Sequence, residues 1–164
     1  MQPEFLLEIL KDCRKKEIHT TVETCGFVKL EALQTISKSV DLFLYDLKLM
    51  DSMKHRDATG VPNELILSNL RWLSENHPKV IVRVAIIPGI NDDEENLCKI
   101  GEFVASLKQV TEIHILPYHK AGMDKYQRLG QTYQLPELQA PDQEEMWEIA
   151  RTIEQFCLKV TING

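Results

Sequence analysis

No stretch of this 164-residue sequence is apolar for long enough to cross a bilayer as a helix. Nothing around Met1-Gln2-Pro3-Glu4 reads as a secretory signal, so the cytoplasm is the expected location. Cysteine is sparse and scattered. Cys13, Cys25, Cys98 and Cys157 form no C-x-x-C pair, which argues against a disulfide framework and a local zinc site, and the thiols read as reduced. Glycine and proline are too few for a disordered chain. Positive charge is short: 19 Lys and Arg stand against 25 Asp and Glu, a formal net charge of −6 that argues against general nucleic-acid binding. The one basic run, Lys11, Arg14, Lys15 and Lys16, reads as cations near a helix C-terminus. The phosphate-binding G-x-x-x-x-G-K-S/T, the dinucleotide G-x-G-x-x-G and the G-x-S-x-G elbow are all missing, which weakens kinase, dehydrogenase and hydrolase assignments.

What is present is a recurring pattern. Asp41-Leu42-Phe43-Leu44-Tyr45-Asp46-Leu47-Lys48 begins as an apolar run suited to a parallel strand covered on both faces, and it ends in charge. Ile18 to Val22 leads into Glu23-Thr24-Cys25-Gly26, Val80 to Ile87 carries Arg83, and Ile113 to Leu116 leads into Pro117-Tyr118-His119. In parallel β/α folds the chemistry gathers at the carboxyl ends of strands. Between these strands lie helical patterns over Pro3 to Lys16, around Leu30 to Val40, over Glu64 to Glu75 and from Leu97 to Leu107. Asp51 to Arg56 reads as one or two short helical turns. Asn91-Asp92-Asp93-Glu94-Glu95 reads as N-cap and first-turn acids rather than a metal cluster. Lys120 to Ala140, punctuated by Gly122, Gly130 and Pro136, reads as a long functional loop with a short helix near Lys125 to Leu129. Asp142 caps a last helix, and Leu158 to Ile162 makes a short final strand at an edge. The fold class is α/β and parallel, in one domain with a sizeable core.

Glu23, Asp46, Lys48 and His119 converge at the strand ends, with Arg83 farther back on a face shared with Ile81 and Ala85. Such a mixed-charge mouth suits a zwitterion. Lys48 and Arg83 match a carboxylate or hydroxyls, Glu23 and Asp46 an ammonium group or small cation, and His119 a ring, a ribose or a proton in transit. Each also has a purely structural explanation. Asp46 and Lys48 can be an ordinary ion pair, Arg83 a partner of Asp46 or Glu23, His119 a loop cap and Glu23 a solvated acid. His19, His55, His77 and His114 look less committed; His114 lies inside a strand and His77 before Pro78, and both read as structural or exposed.

An ordered set of stretches then resembles the glycyl-radical-enzyme activating family of the radical S-adenosylmethionine superfamily. The set comprises Gln2-Pro3-Glu4-Phe5, Val22-Glu23-Thr24-Cys25-Gly26-Phe27, Tyr45-Asp46-Leu47-Lys48-Leu49-Met50-Asp51, His55 with Thr59-Gly60-Val61, and Asn69-Leu70. It continues with Arg83, Ile87-Pro88-Gly89-Ile90-Asn91-Asp92, and Leu116-Pro117-Tyr118-His119 with Gly122, Lys125-Tyr126 and Leu129-Gly130. The resemblance implies a partial (β/α)6 barrel with about four parallel strands and outer helices. It implies reductive cleavage of S-adenosylmethionine at a 4Fe-4S cluster, to make a glycyl radical on a partner enzyme such as pyruvate formate-lyase, with a flavodoxin or ferredoxin as electron donor. By the same resemblance Asp46, Leu47 and Lys48 bind S-adenosylmethionine, Arg83 contacts it and His119 lies near its adenosyl part. Glu23-Thr24 stands where the family has Asp-Thr, at the methionyl end and with a cation. The segment His55 to Gly60 and the loop after His119 face the partner.

The family's C-x-x-x-C-x-x-C and G-G-E-P are both missing from the sequence. Four scattered cysteines do not replace three closely spaced cluster ligands. The expectation is therefore the C-terminal two-thirds of an activating enzyme, lacking the first two βα units, with Met1 an internal methionine. Alone it is expected to be inactive and without a cluster, and to self-associate through an exposed sheet edge. The rival from another class is a non-catalytic S-adenosylmethionine-binding or regulatory module.

Overall fold

The computed structural model describes residues 2–120, 123–133, 135 and 137–163. Met1, Gly122 and Pro136, which figure in the sequence patterns, lie outside the described residues. Helix α1 (Pro3–Lys15) starts on a proline in its first turn and ends on Arg14 and Lys15, both suited to the helix dipole. Strand β1 (Thr21–Thr24), helix α2 (Leu30–Ser37) and strand β2 (Leu42–Leu47) follow. Helices α3 (Ser52–Thr59) and α4 (Glu64–Asn76) lead to β3 (Val80–Ile86), and α5 (Glu94–Ala105) leads to β4 (Glu112–Pro117). The chain closes with α6 (Met123–Arg128), α7 (Gln143–Glu154) and β5 (Lys159–Ile162).

The five strands form one sheet in the order β1-β2-β3-β4-β5, every pair parallel. Sequential parallel strands need crossovers of one hand, and these stack the helices on a single side, as in a barrel wall. Contacts between α1 and α2, α2 and α4, and α5 and α7 run round that side. The core lies between helices and sheet: Phe43, Tyr45, Val82, Val84, Ile86, Ile113 and Ile115 are sealed there with Leu70, Leu73, Ile100 and Ile153.

Three expectations change. The first strand begins at Thr21, not Ile18, and so includes Glu23 and Thr24. Glu17 turns left-handed (φ 56°), and the Ile18 N–H bonds the Cys13 carbonyl, so Ile18 belongs to the end of α1 and is 52% exposed. Asp41 then latches the strand start, accepting from the Thr20 N–H at 2.7 Å and its hydroxyl at 3.0 Å, which holds the carboxyl below the ordinary carboxylate range. The second change concerns β2, which is covered on one face only. Phe43, Tyr45 and Leu47 are buried against helices, while Leu42, Leu44 and Asp46 face the concave side and are half-buried. Third, the sheet has five parallel strands rather than about four, because Leu158 to Ile162 ends in a strand paired with β4 at the sheet edge.

Helix starts follow the acidic pattern. Asp51 caps α3 and Asp93 caps α5, each accepting from a first-turn N–H, and Asp142 with Glu145 forms a reciprocal capping box on α7. On the concave face Glu112 of β4 accepts from Lys159 Nζ and Thr161 Oγ1, both at 2.9 Å, with His114 Nε2 at 3.1 Å. The Lys159 bond first, then those from Thr161 and His114, hold the Glu112 carboxyl down at about 2 despite its partial burial. Beyond β4, the Tyr118 and Tyr133 hydroxyls meet at 2.6 Å and tie down the loop that carries α6.

One glycine is set by close approach. Gly26 has φ 70°, and a Cβ there would overlap the Tyr45 hydroxyl, which donates to the Ile66 carbonyl at 2.7 Å. Gly26→Ala is expected to lower unfolding stability by about 2–4 kcal/mol. Urea unfolding measures it, and a change within ~0.5 kcal/mol would show that Tyr45 gives way freely.

Candidate functional site

Strand alternation and register assemble the site. Asp46 of β2 pairs with Arg83 of β3, and Arg83 with His114 of β4. Glu23 of β1 pairs with Leu44, two residues before Asp46 and on the same face. Arg83 therefore rises on the concave wall beside Asp46 and reaches across β2. Its Nη1 lies 3.0 Å from Glu23 Oε2, and its Nε lies 3.8 Å from Asp46 Oδ1. Lys48, just past β2, brings Nζ to 3.9 Å from Asp46 Oδ2.

The Arg83 side chain is 19% exposed and its Nε is buried with no hydrogen-bond partner, because 3.8 Å is too long for one. A buried guanidinium needs anions, and here two carboxylates from two strands supply them. Asp46 is shielded in turn. Burial pushes its carboxyl up and neighbouring Glu23 adds to this, while Lys48 and Arg83 oppose it. Two acids and two bases thus share one mouth at the strand ends, with Glu23 and Lys48 the more exposed pair.

The other expected residues lie elsewhere. Thr24 and Leu47 point to the helix side. Thr24 Oγ1 accepts from the Gly26 N–H at 2.9 Å, and Leu47 is buried in the core. His119 stands exposed two residues past the end of β4, beyond the strand flanking Arg83. The segment His55 to Gly60 is helical to Thr59 rather than a loop. His55 is buried with Nδ1 2.7 Å from the Val61 carbonyl oxygen, so its part is to close α3. His77 is structural too, buried edge-on to Phe43 with Nε2 2.9 Å from the Val40 carbonyl oxygen.

Sequence reasoning missed a set of buried asparagines at the strand ends. Asn69 donates to the Gly26 and Val28 carbonyls at 2.8 and 2.7 Å and so pins the loop after β1. Asn63 donates to the carbonyls of Leu49 and Met50. Asn91 and Asn96 both donate to the Lys48 carbonyl. The signal was available: Asn69 sits in the apolar stripe Ile66, Leu70, Leu73, and Asn96 lies beside Leu97 one turn before Ile100. An amide on an apolar stripe is a buried amide, and a buried amide needs partners.

No family model matches the chain. It is 39% identical over 165 residues to the choline trimethylamine-lyase activating enzyme of Oleidesulfovibrio alaskensis, covering 99% of this chain and 53% of that protein. It matches the crystal structure of a domain of pyruvate-formate lyase-activating enzyme from Bacteroides vulgatus with a TM-score of 0.82 and 35% identity, covering 99% of this chain and 91% of that one. Streptococcus suis SuiB bound to S-adenosylmethionine shares the fold alone, with a TM-score of 0.72 and 13% identity over 96% of this chain and 36% of that one. The chain spans about half the length of the curated relatives it matches, 53% in the first case.

The raised Asp46 carboxyl has a pH signature. Between the ordinary value of 3.8 and its raised value the folded chain holds the proton more tightly than the unfolded chain, so stability falls as pH rises through that window. Asp46→Asn removes the loss. The variant is expected to be the more stable protein near about pH 7, and the two to converge below pH 3.8. Thermal melts across pH check this, and a variant less stable at neutral pH would mean that the ion pairs outweigh burial.

Proposed function

We propose, from a chain that belongs to the glycyl-radical-enzyme activating family, that the mouth formed by Glu23, Asp46, Lys48 and Arg83 binds S-adenosylmethionine. The protein of which this sequence is part then generates a glycyl radical on a partner glycyl radical enzyme. The carrying observation is the Arg83 guanidinium, buried and paired to two carboxylates, with an Nε still without a hydrogen-bond partner. Unmet hydrogen-bonding capacity on a buried guanidinium is a feature that functional sites carry, and it supports the assignment.

The residues present fit that ligand. Lys48 and Arg83 take its carboxylate and hydroxyls, and Glu23 and Asp46 face its ammonium and sulfonium charges. Thr24 and Leu47, whose side chains turn to the helix side, contribute only their main chain, Thr24 at the methionyl end, and His119 meets the adenosyl part. When bound, S-adenosylmethionine would take one electron from the whole protein's donor, lose methionine as the S–C5′ bond breaks, and so supply the 5′-deoxyadenosyl group that takes a hydrogen atom from the partner's glycine. This chain's own residues bind it, orient it and exclude water around it. A 4Fe-4S cluster is another matter. Among the described residues no three His, Cys, Asp or Glu side chains converge as metal ligands. That donor set does not fit a cluster, and no step here runs through one.

In this reading the five strands are the C-terminal part of a radical-SAM barrel, and the whole protein takes its electron from a flavodoxin or ferredoxin. The partner enzyme docks on the segments that follow the strand ends, where Phe27, Met53 and Leu129 stand exposed. Strand β1 ends the sheet with an unpaired outer edge among the described residues, which favours self-association of the chain. Light scattering is expected to show dimers or larger species, and a clean monomer at high concentration would remove that part of the proposal.

An NMR titration with S-adenosylmethionine tests the site. Binding is expected to be weak, with a Kd on the order of 100 µM, and tighter than for S-adenosylhomocysteine, which lacks the sulfonium charge. Lys48→Ala and Arg83→Ala are each expected to weaken it about tenfold or more. Equal affinity for the two ligands, or no effect of either substitution, would overturn the assignment. Binding tighter by several orders of magnitude would favour the non-catalytic binding module instead, since the ligand would then need no further anchor.

A further inference from the structure

Strand β2 loses its ladder after Leu47, the last residue in register with β3. The chain does not then turn out into water. Leu49 is buried, and the peptide groups around it need hydrogen-bond partners. Three buried asparagines supply them, all from loops or helix starts at the same end of the sheet. Asn91 and Asn96 each bring Nδ2 to 3.3 Å from the Lys48 carbonyl oxygen. Asn96 Oδ1 accepts from the Met50 N–H at 2.8 Å. Asn63 Nδ2 donates to the Leu49 carbonyl at 2.9 Å and to that of Met50 at 3.0 Å.

The amides are themselves fixed. Asn91 also donates to the Ala85 carbonyl at 2.8 Å and accepts from the Ile87 N–H at 2.7 Å, which ties it to the end of β3. Asn96 donates to the Asn91 carbonyl at 2.8 Å, and its own N–H is held by the α5 cap Asp93. Only an amide offers two N–H donors and a carbonyl acceptor on one side chain. Aspartate here would have no donor for the carbonyls, and serine would have one at most.

We propose that Asn63, Asn91 and Asn96 are positioning residues that aim Lys48, fixing its backbone from the helix side so that its ammonium stands against Asp46 on the concave side. A lysine stem has four torsions and wanders if its root does. Holding its carbonyl twice, and the next two peptides besides, removes that freedom at the root. The assembly continues from β3 through Asn91 to β2, so the two strands that carry Asp46 and Arg83 are also locked in relative position beyond their ladder. The effect on ligand affinity rests on the S-adenosylmethionine assignment above; the effect on Lys48 does not.

Two measurements on the chain separate these. Competitive acetylation mapped by mass spectrometry reads the accessibility of each lysine without ligand. Asn96→Ala is expected to raise the Lys48 rate severalfold while the other lysines keep theirs. An unchanged Lys48 rate in a folded variant would overturn the clamp. Should Asn96→Ala fail to fold, Asn96→Ser keeps one hydroxyl donor and is expected to give the same change in smaller measure. In the ligand titration, Asn96→Ala is expected to weaken S-adenosylmethionine about tenfold, yet to add nothing in a Lys48→Ala background. Weakening that multiplies in full with that of Lys48→Ala would show that Asn96 does not act through Lys48, and would sink the proposal. If the unmodified chain takes up no S-adenosylmethionine, the ligand assignment fails while the acetylation rates still decide the clamp.

Discussion

Everything in this fold depends on the two-residue alternation of a parallel strand that has helices on one side only. Phe43, Tyr45 and Leu47 turn toward the helices and are sealed. Their neighbours Leu42, Leu44 and Asp46 must then turn the other way. Register carries the same choice across the sheet, from Glu23 through Asp46 and Arg83 to His114 and Thr161. The helix side holds the driving force for folding, in apolar area removed from water. The concave side is free to be polar, and the chain has spent that freedom on charge.

That charge is costly where it stands. The Arg83 guanidinium is largely withdrawn from water, as is the carboxylate beside it, and the attraction between such groups barely offsets their desolvation. Glu23, more exposed, makes the short contact, while the Nε of Arg83 has no hydrogen bond. A chain selected for stability alone would fill this wall with apolar side chains. Unmet hydrogen-bonding capacity and a raised acid at one place are the marks of a site arranged for something other than its own folding.

Strand ends are the weak points of such a sheet, because the ladder stops before the loops have partners. This chain solves the problem with amides. Asn69 holds the loop after β1, Asn63 and Asn96 hold the segment after β2, and Asn91 joins that segment to the end of β3. Each bond adds only about 0.5–1.5 kcal/mol net, but a buried peptide group left without one costs about 1–3 kcal/mol. The asparagines are thus worth more as satisfiers than as links. Gly26 belongs to the same scheme, lying against the Tyr45 hydroxyl so that the β1 loop can pass close over β2.

Much of this could be read from residue order. Apolar runs carrying polar groups or leading into them marked β2, β3 and β4, acids ahead of helical patterns marked the caps at Asp93 and Asp142, and the ordered stretches from Gln2 to Gly130 carried the family. These are legible because hydrophobic periodicity and capping are local: a few neighbouring residues determine them. The tertiary structure alone decided the rest. It moved Ile18 out of β1, because a left-handed Glu17 and a bond to Cys13 hold it to α1. It sent Thr24 and Leu47 away from the mouth, while the neighbouring Glu23 and Asp46 face into it. It also drew Asn63, Asn91 and Asn96 to one short segment. Which face a residue takes, and which distant carbonyl an amide meets, depends on strand register and helix docking, and those arise only when the whole chain packs.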